Sequence, residues 1–258
     1  MRWSVSGIII SLLLALPVPS RAGSEPVIVC NAPDEFLTTD APLAEFGAAI
    51  AAGGPVNILA VGSATTVGAP STKDQKPTAI EGGTFPVQMV RALNAAMPSV
   101  RFTLTVRGGR GMTADAMLKL LDEALKQQHY PLVLWQTGTV EAVRGLRPDG
   151  LLDVLHQGAD AVSDGGGNLV LIDPQFSRFL RANTDVDAYE DVMRQAAANP
   201  GVVLFQRFDL MRLWADDGSV DLERTAKEDR DKALDRLNSC LGQVLAKFVL
   251  SGADAAKK

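Results

Sequence analysis

Five short apolar runs alternate along the chain with longer segments whose apolar residues recur at helical spacing. The runs are "VNILAVG" (56–62), "RFTLTV" (101–106), "LVLWQT" (132–137), "NLVLID" (168–173) and "VVLFQR" (202–207). Each is nearly continuous in Val, Leu, Ile and Phe, as a parallel strand covered on both faces requires. Between them the pattern predicts helices over 42–53, 85–97 and 113–128, and near 149–163, 185–198 and 222–249. In the second, Val87, Val90, Leu93 and Met97 fall on one face. In the third, Thr113 stands at the N-cap, and Met117, Leu120, Leu121 and Leu125 form the buried stripe. Strands and helices in alternation, joined by right-handed crossovers, give a three-layer α/β/α sandwich around a parallel sheet of about five strands. The 258 residues suit a single such domain, and no internal repeat is present.

The first 22 residues read differently. Met1-Arg2 is followed by "SGIIISLLLAL", an apolar run too short to span a bilayer, and then by "PVPSRAG" with Ser20 and Ala22 before the expected cut. Residues 1–22 are therefore expected to be a secretory signal peptide, leaving a domain over 23–258 with no transmembrane segment. Cleavage would remove Arg2 and Arg21 and no acid, moving the net charge from −5 to −7. No basic block survives, which argues against a nucleic-acid partner. Export, to the periplasm or beyond the cell, means oxidising conditions. The two cysteines, Cys30 and Cys240, are then expected to pair, tying an N-terminal arm to the last helix. No histidine lies near either cysteine, so no metal site or cofactor is implied.

In parallel α/β sheets, sites gather at the carboxyl ends of the strands. The segments there are "GSATTVG", "RGGRGMT", "GTVEA" and "DPQFSRF", and the polar stretch 69–83 reads as a flexible loop beside them. Together they resemble the SGNH/GDSL hydrolases, in particular a small exported bacterial group whose first block is Gly-Ser-Ser-Ser-Thr-x-Gly. Gly62 to Gly68 matches that block. "TFP" (84–86) matches the start of the next helix, "RGGRG" (107–111) the glycine block and "WQTGTVEA" (135–142) the third block. "LIDPQF" (171–176) matches the fourth strand and the Asp-Pro-Gln-Tyr after it. "DRDKALDRLNSCL" (229–241) matches the segment with Asp-x-x-His and a cysteine. The resemblance implies a flavodoxin-like fold and hydrolysis of esters, on lipids or acetylated glycans.

That chemistry needs a serine nucleophile, a histidine base oriented by an aspartate, and oxyanion donors from the glycine block and an asparagine. The resemblance puts Ala64 at the nucleophile position, with Ser63 one residue early. Val140 stands at the asparagine and Lys232 at the histidine, while Asp229 is retained. Gly111 matches the backbone donor, and Val106 replaces the asparagine that opens that block. Losing one triad member, or one oxyanion donor, removes orders of magnitude in rate, though the losses do not multiply.

Substitutes are few. His156 sits on a helix away from the strand ends, and His129 precedes a strand at its amino end. Ser63 or Thr65 could act only if Lys232 lost its proton, which Asp229 opposes; the two read more simply as an i,i+3 ion pair. Trp135 and Trp214 read as packing residues, and Glu141 as a solvated residue opening a helix. The expectation is a catalytically inactive, exported binding or accessory protein. Its cleft would be lined by Ala64, Gly111, Val140 and Lys232, with an acylated glycan, a lipid or an active homologue as partner. The alternative is an ester hydrolase with Ser63 or Thr65 as a rearranged nucleophile.

Overall fold

The computed structural model describes residues 1, 30–39, 41–68 and 83–257. The expected signal peptide, apart from Met1, and the loop 69–83, apart from Gly83, lie outside the described residues.

The five apolar runs form five parallel strands: β1 (Pro55–Gly62), β2 (Arg101–Gly108), β3 (Leu132–Gln136), β4 (Asn168–Ile172) and β5 (Val202–Phe205). Their order in the sheet is β2-β1-β3-β4-β5. The helices are α1 (Asp34–Leu37), α2 (Ala44–Ala51), α3 (Ala64–Val67), α4 (Phe85–Ala96), α5 (Ala114–Gln127), α6 (Thr139–Arg144), α7 (Pro148–Asp164), α8 (Arg178–Asn183), α9 (Val186–Ala196), α10 (Arg207–Asp216) and α11 (Arg230–Ala255). A 3₁₀ turn, Lys227–Asp229, precedes α11. One face of the sheet is covered by α5, α7 and α9, the other by α4 and α11 with α2. The result is the three-layer sandwich. β3 and β4 are buried at every position, whereas β2, at the edge, is half-buried over much of its length.

Layer spacing depends on small residues at two contacts. The indole of Trp135 on β3 lies against the backbone of α7 at Gly158, where a Cβ would come within 2.1 Å of the ring. Trp135 and Trp214 are both buried, as packing residues should be. At the end of β2, Gly108 has φ +132°, and a Cβ there would sit 1.9 Å from the Gly62 carbonyl oxygen. Only glycine lets β1 and β2 finish side by side.

Several local expectations are corrected. The buried face of α4 is Phe85, Pro86, Met89 and Leu93, while Val87, Val90 and Met97 are only half-buried. The helix is wedged between β2 and α11, so two partners set its inner face. In α5, Met117 and Leu121 are buried but Leu120 and Leu125 are half-buried, with Ala114 and Ala124 completing the inward stripe. The last helix begins at Arg230 rather than near 222, and α10 begins at Arg207, within the run read as the fifth strand. Cys30 and Cys240 form a disulfide that binds the N-terminal arm to α11. No helix among the described residues is long and apolar enough to cross a membrane.

Candidate active site

From β1 the chain crosses by α4 to β2 on one side, and from β3 by α7 to β4 on the other, so the strand order reverses between β1 and β3. The crevice outside their carboxyl ends is the switch point where such sheets place ligands. Ser63, at the end of β1, is the N-cap of α3 in extended conformation, and Ala64 is the first helical residue. A strand-to-turn-to-helix backbone is therefore present, and the methyl group of Ala64 stands at the position that the resemblance assigns to the nucleophile.

Around this turn the hydroxyl groups converge on one acceptor. Gln136 Oε1, at the end of β3, accepts from Ser63 N–H (3.1 Å), Ser63 Oγ (2.8 Å), Thr65 Oγ1 (3.3 Å) and Thr66 Oγ1 (3.1 Å). The backbone N–H of Ser63 can only donate, which fixes the amide with its oxygen toward the turn. An amide oxygen does not take a proton at neutral pH. The hydroxyl hydrogens are thus engaged by a group unable to activate them.

Beneath the turn lies a buried arginine. Arg207, 1% exposed, opens α10 and donates from Nη1 to Thr65 Oγ1 at 3.3 Å, with its guanidinium 5.8 Å from the Phe85 ring centre. Burial lowers its pKa to about 10, against the partly restoring charge of Asp173. Asp173, just past β4, is itself buried and accepts from the Phe208 N–H at 2.8 Å. Burial pushes its carboxyl well above the ordinary range, despite that hydrogen bond and the charge of Arg207. Arg207 Nε and Nη2 and Gln136 Nε2 are buried without a hydrogen-bond partner. The floor of the site is therefore rich in unused donors, and none of the described residues sets a base against Ser63 or Thr65.

The other loops are fixed to this frame. Gly109 N–H donates to the Gly62 carbonyl at 3.2 Å, and Arg144 Nη2 on α6 to the Gly111 carbonyl at 3.0 Å. Glu141 is a correction: it is 4% exposed, not solvated. Its carboxylate accepts from Ala114 N–H and, at 3.1 Å, from Gly138 N–H. It thus caps α5 and α6 together, and Thr113, although in the N-cap position, makes no side-chain cap. A Gly-Thr-Val-Glu run, with glutamate three residues into a helix, is the capping signal that the sequence carries. Glu141→Gln places an amide N–H against a backbone donor, leaving one helix end unsatisfied. It should lower stability by about 2 kcal/mol and Tm by roughly 4–8 °C, measured by thermal unfolding. An unchanged Tm would mean that water serves both N–H groups equally well.

Ala64, Gly111 and Val140 thus belong to adjoining segments at one edge of the sheet. Lys232 is placed differently. Its side chain is 86% exposed, its Nζ lies 3.6 Å from Asp229, and no hydrogen bond or ion pair among the described residues joins it to Ser63 or Thr65. It lines a depression of about 580 Å³ with Asp217, Asp221, Asp229 and Arg236, in whose wall Ala64, Gly111 and Val140 have no part. His129 is at the amino end of β3, its Nε2 3.0 Å from the Gly166 carbonyl oxygen, and His156 is half-buried on α7. Neither reaches the site. Sequence reasoning misses Gln136, Asp173 and Arg207, whose only signal is a polar residue closing an apolar run.

The model of the non-GDSL lipase-like family matches residues 29–255. The chain belongs to that family. Solved structures agree on the fold. A catalytic mutant of Axe2, an acetylxylan esterase from Geobacillus stearothermophilus, is 15% identical with a TM-score of 0.55, over 70% of this chain and 91% of that one. AlinE4, an SGNH-hydrolase family esterase, is 19% identical with a TM-score of 0.51, over 64% and 82%. LAE5, an alpha/beta hydrolase enzyme from the metagenome of Lake Arreo, Spain, is 16% identical with a TM-score of 0.53, over 72% and 96%. At these identities the likeness speaks to the fold alone, which is that of the SGNH/GDSL-like hydrolases. No curated protein matches this chain in sequence.

Proposed function

We propose that this non-GDSL lipase-like protein is a catalytically inert member of the SGNH-like hydrolase fold, exported to the cell envelope, where it binds an acylated glycan or lipid or assists an active homologue. One observation carries the reading. The hydroxyls of Ser63, Thr65 and Thr66 all converge on the amide oxygen of Gln136, around a turn whose nucleophile position is Ala64. Among the described residues, no side chain able to take a proton makes a hydrogen bond to any of the three. Donors left unused on Arg207 and Gln136 make the buried floor of the site polar rather than hydrocarbon-like. Cys30–Cys240 fits an oxidising compartment.

The rival is an ester hydrolase using Ser63 or Thr65. Its support is the cation of Arg207 against Thr65 Oγ1, since a nearby positive charge favours an alkoxide. A fluorophosphonate probe and a short-chain aryl ester decide between the two. The purified protein is expected to remain unlabelled and to hydrolyse the ester at the buffer rate, as Ser63→Ala and Thr65→Ala do. Labelling of the parent that disappears in either variant would establish the rival.

A further inference from the structure

Met1 aside, the large apolar side chains exposed among the described residues are Val143, Leu146, Phe179 and Leu213. All four stand on segments that leave the carboxyl ends of β3, β4 or β5. The three most exposed are Val143 (62%), Phe179 (65%) and Leu146 (42%). The first two project from the short helices α6 and α8, and Leu146 from the turn after α6. The loops that carry them are joined: Gln175 N–H donates to Thr139 Oγ1 at 3.2 Å, and the Tyr189 hydroxyl to the Leu146 carbonyl. The segments after β3 and β4 are thus tethered to each other, and the Leu146 turn to α9.

Exposed arginines flank these side chains. Arg144 is held beside the Arg110-Gly111 segment by its bond to the Gly111 carbonyl. Arg147 and Leu146 lie together on the rim of a mainly apolar depression of about 290 Å³ that reaches Leu151 and Val154. Asp149 pairs with Arg147 at 2.8 Å, and Asp115 faces the same depression. Of these flanking cations, Arg110 and Arg144 form no ion pair among the described residues. They stand out on a chain of net charge −5.

We propose that this edge docks on an anionic lipid surface, with Val143, Leu146 and Phe179 entering the headgroup layer and Arg110 and Arg144 meeting lipid phosphates. The shape favours lipid over a protein partner. Separate apolar tips need a soft phase that closes around each, whereas a protein interface needs a continuous packed patch. Guanidinium groups pair with phosphate in planar, two-point fashion and extend long apolar stems into the interface. Docking of this kind does not depend on whether the site is inert: none of these five residues takes part in the Ser63–Gln136–Arg207 cluster, and Arg144 meets the site only through the Gly111 carbonyl.

The test is co-sedimentation of the purified protein with vesicles of phosphatidylcholine alone and of phosphatidylcholine with one third phosphatidylglycerol. Binding to the anionic vesicles only, weakened in high salt, is expected. Each cation near such a surface contributes about fivefold in affinity, so Arg110→Gln with Arg144→Gln should weaken binding by about 25-fold. Val143→Ser, Leu146→Ser and Phe179→Ser together should reduce it at least ~10-fold with an unchanged circular dichroism spectrum. The positions are exposed, so folding should survive. Absence of pelleting, equal pelleting with neutral vesicles, or binding unaffected by both variants would overturn the proposal. So would light scattering that showed the same apolar positions holding two copies of the chain together while vesicles bound nothing.

Discussion

Ala64→Ser alone is expected to leave aryl-ester hydrolysis at the buffer rate, whereas Ala64→Ser, Val140→Asn and Lys232→His in one chain are expected to raise it by about 10²-fold or more. The strand-to-helix turn is already in place: Ser63 holds the N-cap position of α3, and Thr66 N–H closes the turn onto the Ser63 carbonyl at 3.0 Å. A serine at 64 would still lack a base, because the polar groups fixed around the turn are an amide oxygen and a guanidinium. Histidine at 232 would stand three residues after Asp229, which lies 3.6 Å from the present ammonium and could orient an imidazole instead. Asparagine at 140 would supply a side-chain donor where valine has none. The side chain at 232 is 86% exposed, so an imidazole there meets no packing barrier, and the variant tests whether this position serves the turn at Ala64. The readout is hydrolysis by protein whose Tm matches the parent. A folded triple variant still at the buffer rate would put the nucleophile or the base at other positions and break the match of this chain to the family's reacting residues.

The inner strands are legible because burial on both faces forces a continuous apolar run, while β2, half-buried at the edge, shows apolar residues at alternate positions, Phe102, Leu104 and Val106. All five observed strands overlap the predicted ones, with ends differing by at most two residues. The helix faces are less legible. The periodicity of α4 gives an apolar stripe, but Met89 rather than Val90 turns fully inward because α11 presses on one flank, bringing Gly242 against Gln88 and Met89. That contact joins segments far apart in the chain and leaves no local trace. Arg207 escapes notice for a related reason: an arginine after an apolar run reads as a strand reaching solvent, yet α10 folds it back under Thr65.

At the site, the sequence carries the proposed loss of chemistry through the resemblance alone. That resemblance sets Ala64, Val140 and Lys232 where serine, asparagine and histidine are expected. What the sequence hides is how the remaining polar groups rearrange. Gln136 reads only as part of a matched block, but the sheet brings its amide under a turn 73 residues earlier, where it accepts from the hydroxyls of Ser63, Thr65 and Thr66. Glu141 reads as solvated because acids at helix starts usually are. Its burial comes from the glycine loop after β2 folding over it, so that Ala114 N–H needs an acceptor. In both cases the partner is distant in sequence, and a polar side chain does not announce which backbone it will serve.

Replacing Cys30 and Cys240 by serine should cost about 5 kcal/mol, corresponding to a Tm lower by roughly 10–20 °C. The bond spans 210 residues of separation, so the unlinked denatured chain gains nearly the largest loop entropy available to a domain of this size. The folded state should change little. The arm has its own attachments: Phe36 is buried, Trp214 Nε1 donates to the Asn31 carbonyl at 2.6 Å, and Thr39 N–H donates to Ser251 Oγ at 2.9 Å. The double variant should therefore keep its circular dichroism spectrum at 25 °C while unfolding earlier, and the parent in a strong reductant should follow the same curve. The variant separates two roles that the fold superimposes on α11, since this helix carries both the disulfide and, at its N-terminal end, Lys232 beside the N-cap Asp229. If the disulfide only restricts the unfolded chain, vesicle binding survives its removal. A Tm drop of less than about 2 °C would show that the unfolded chain is held compact by other means, and the entropic account of this cross-link would fail.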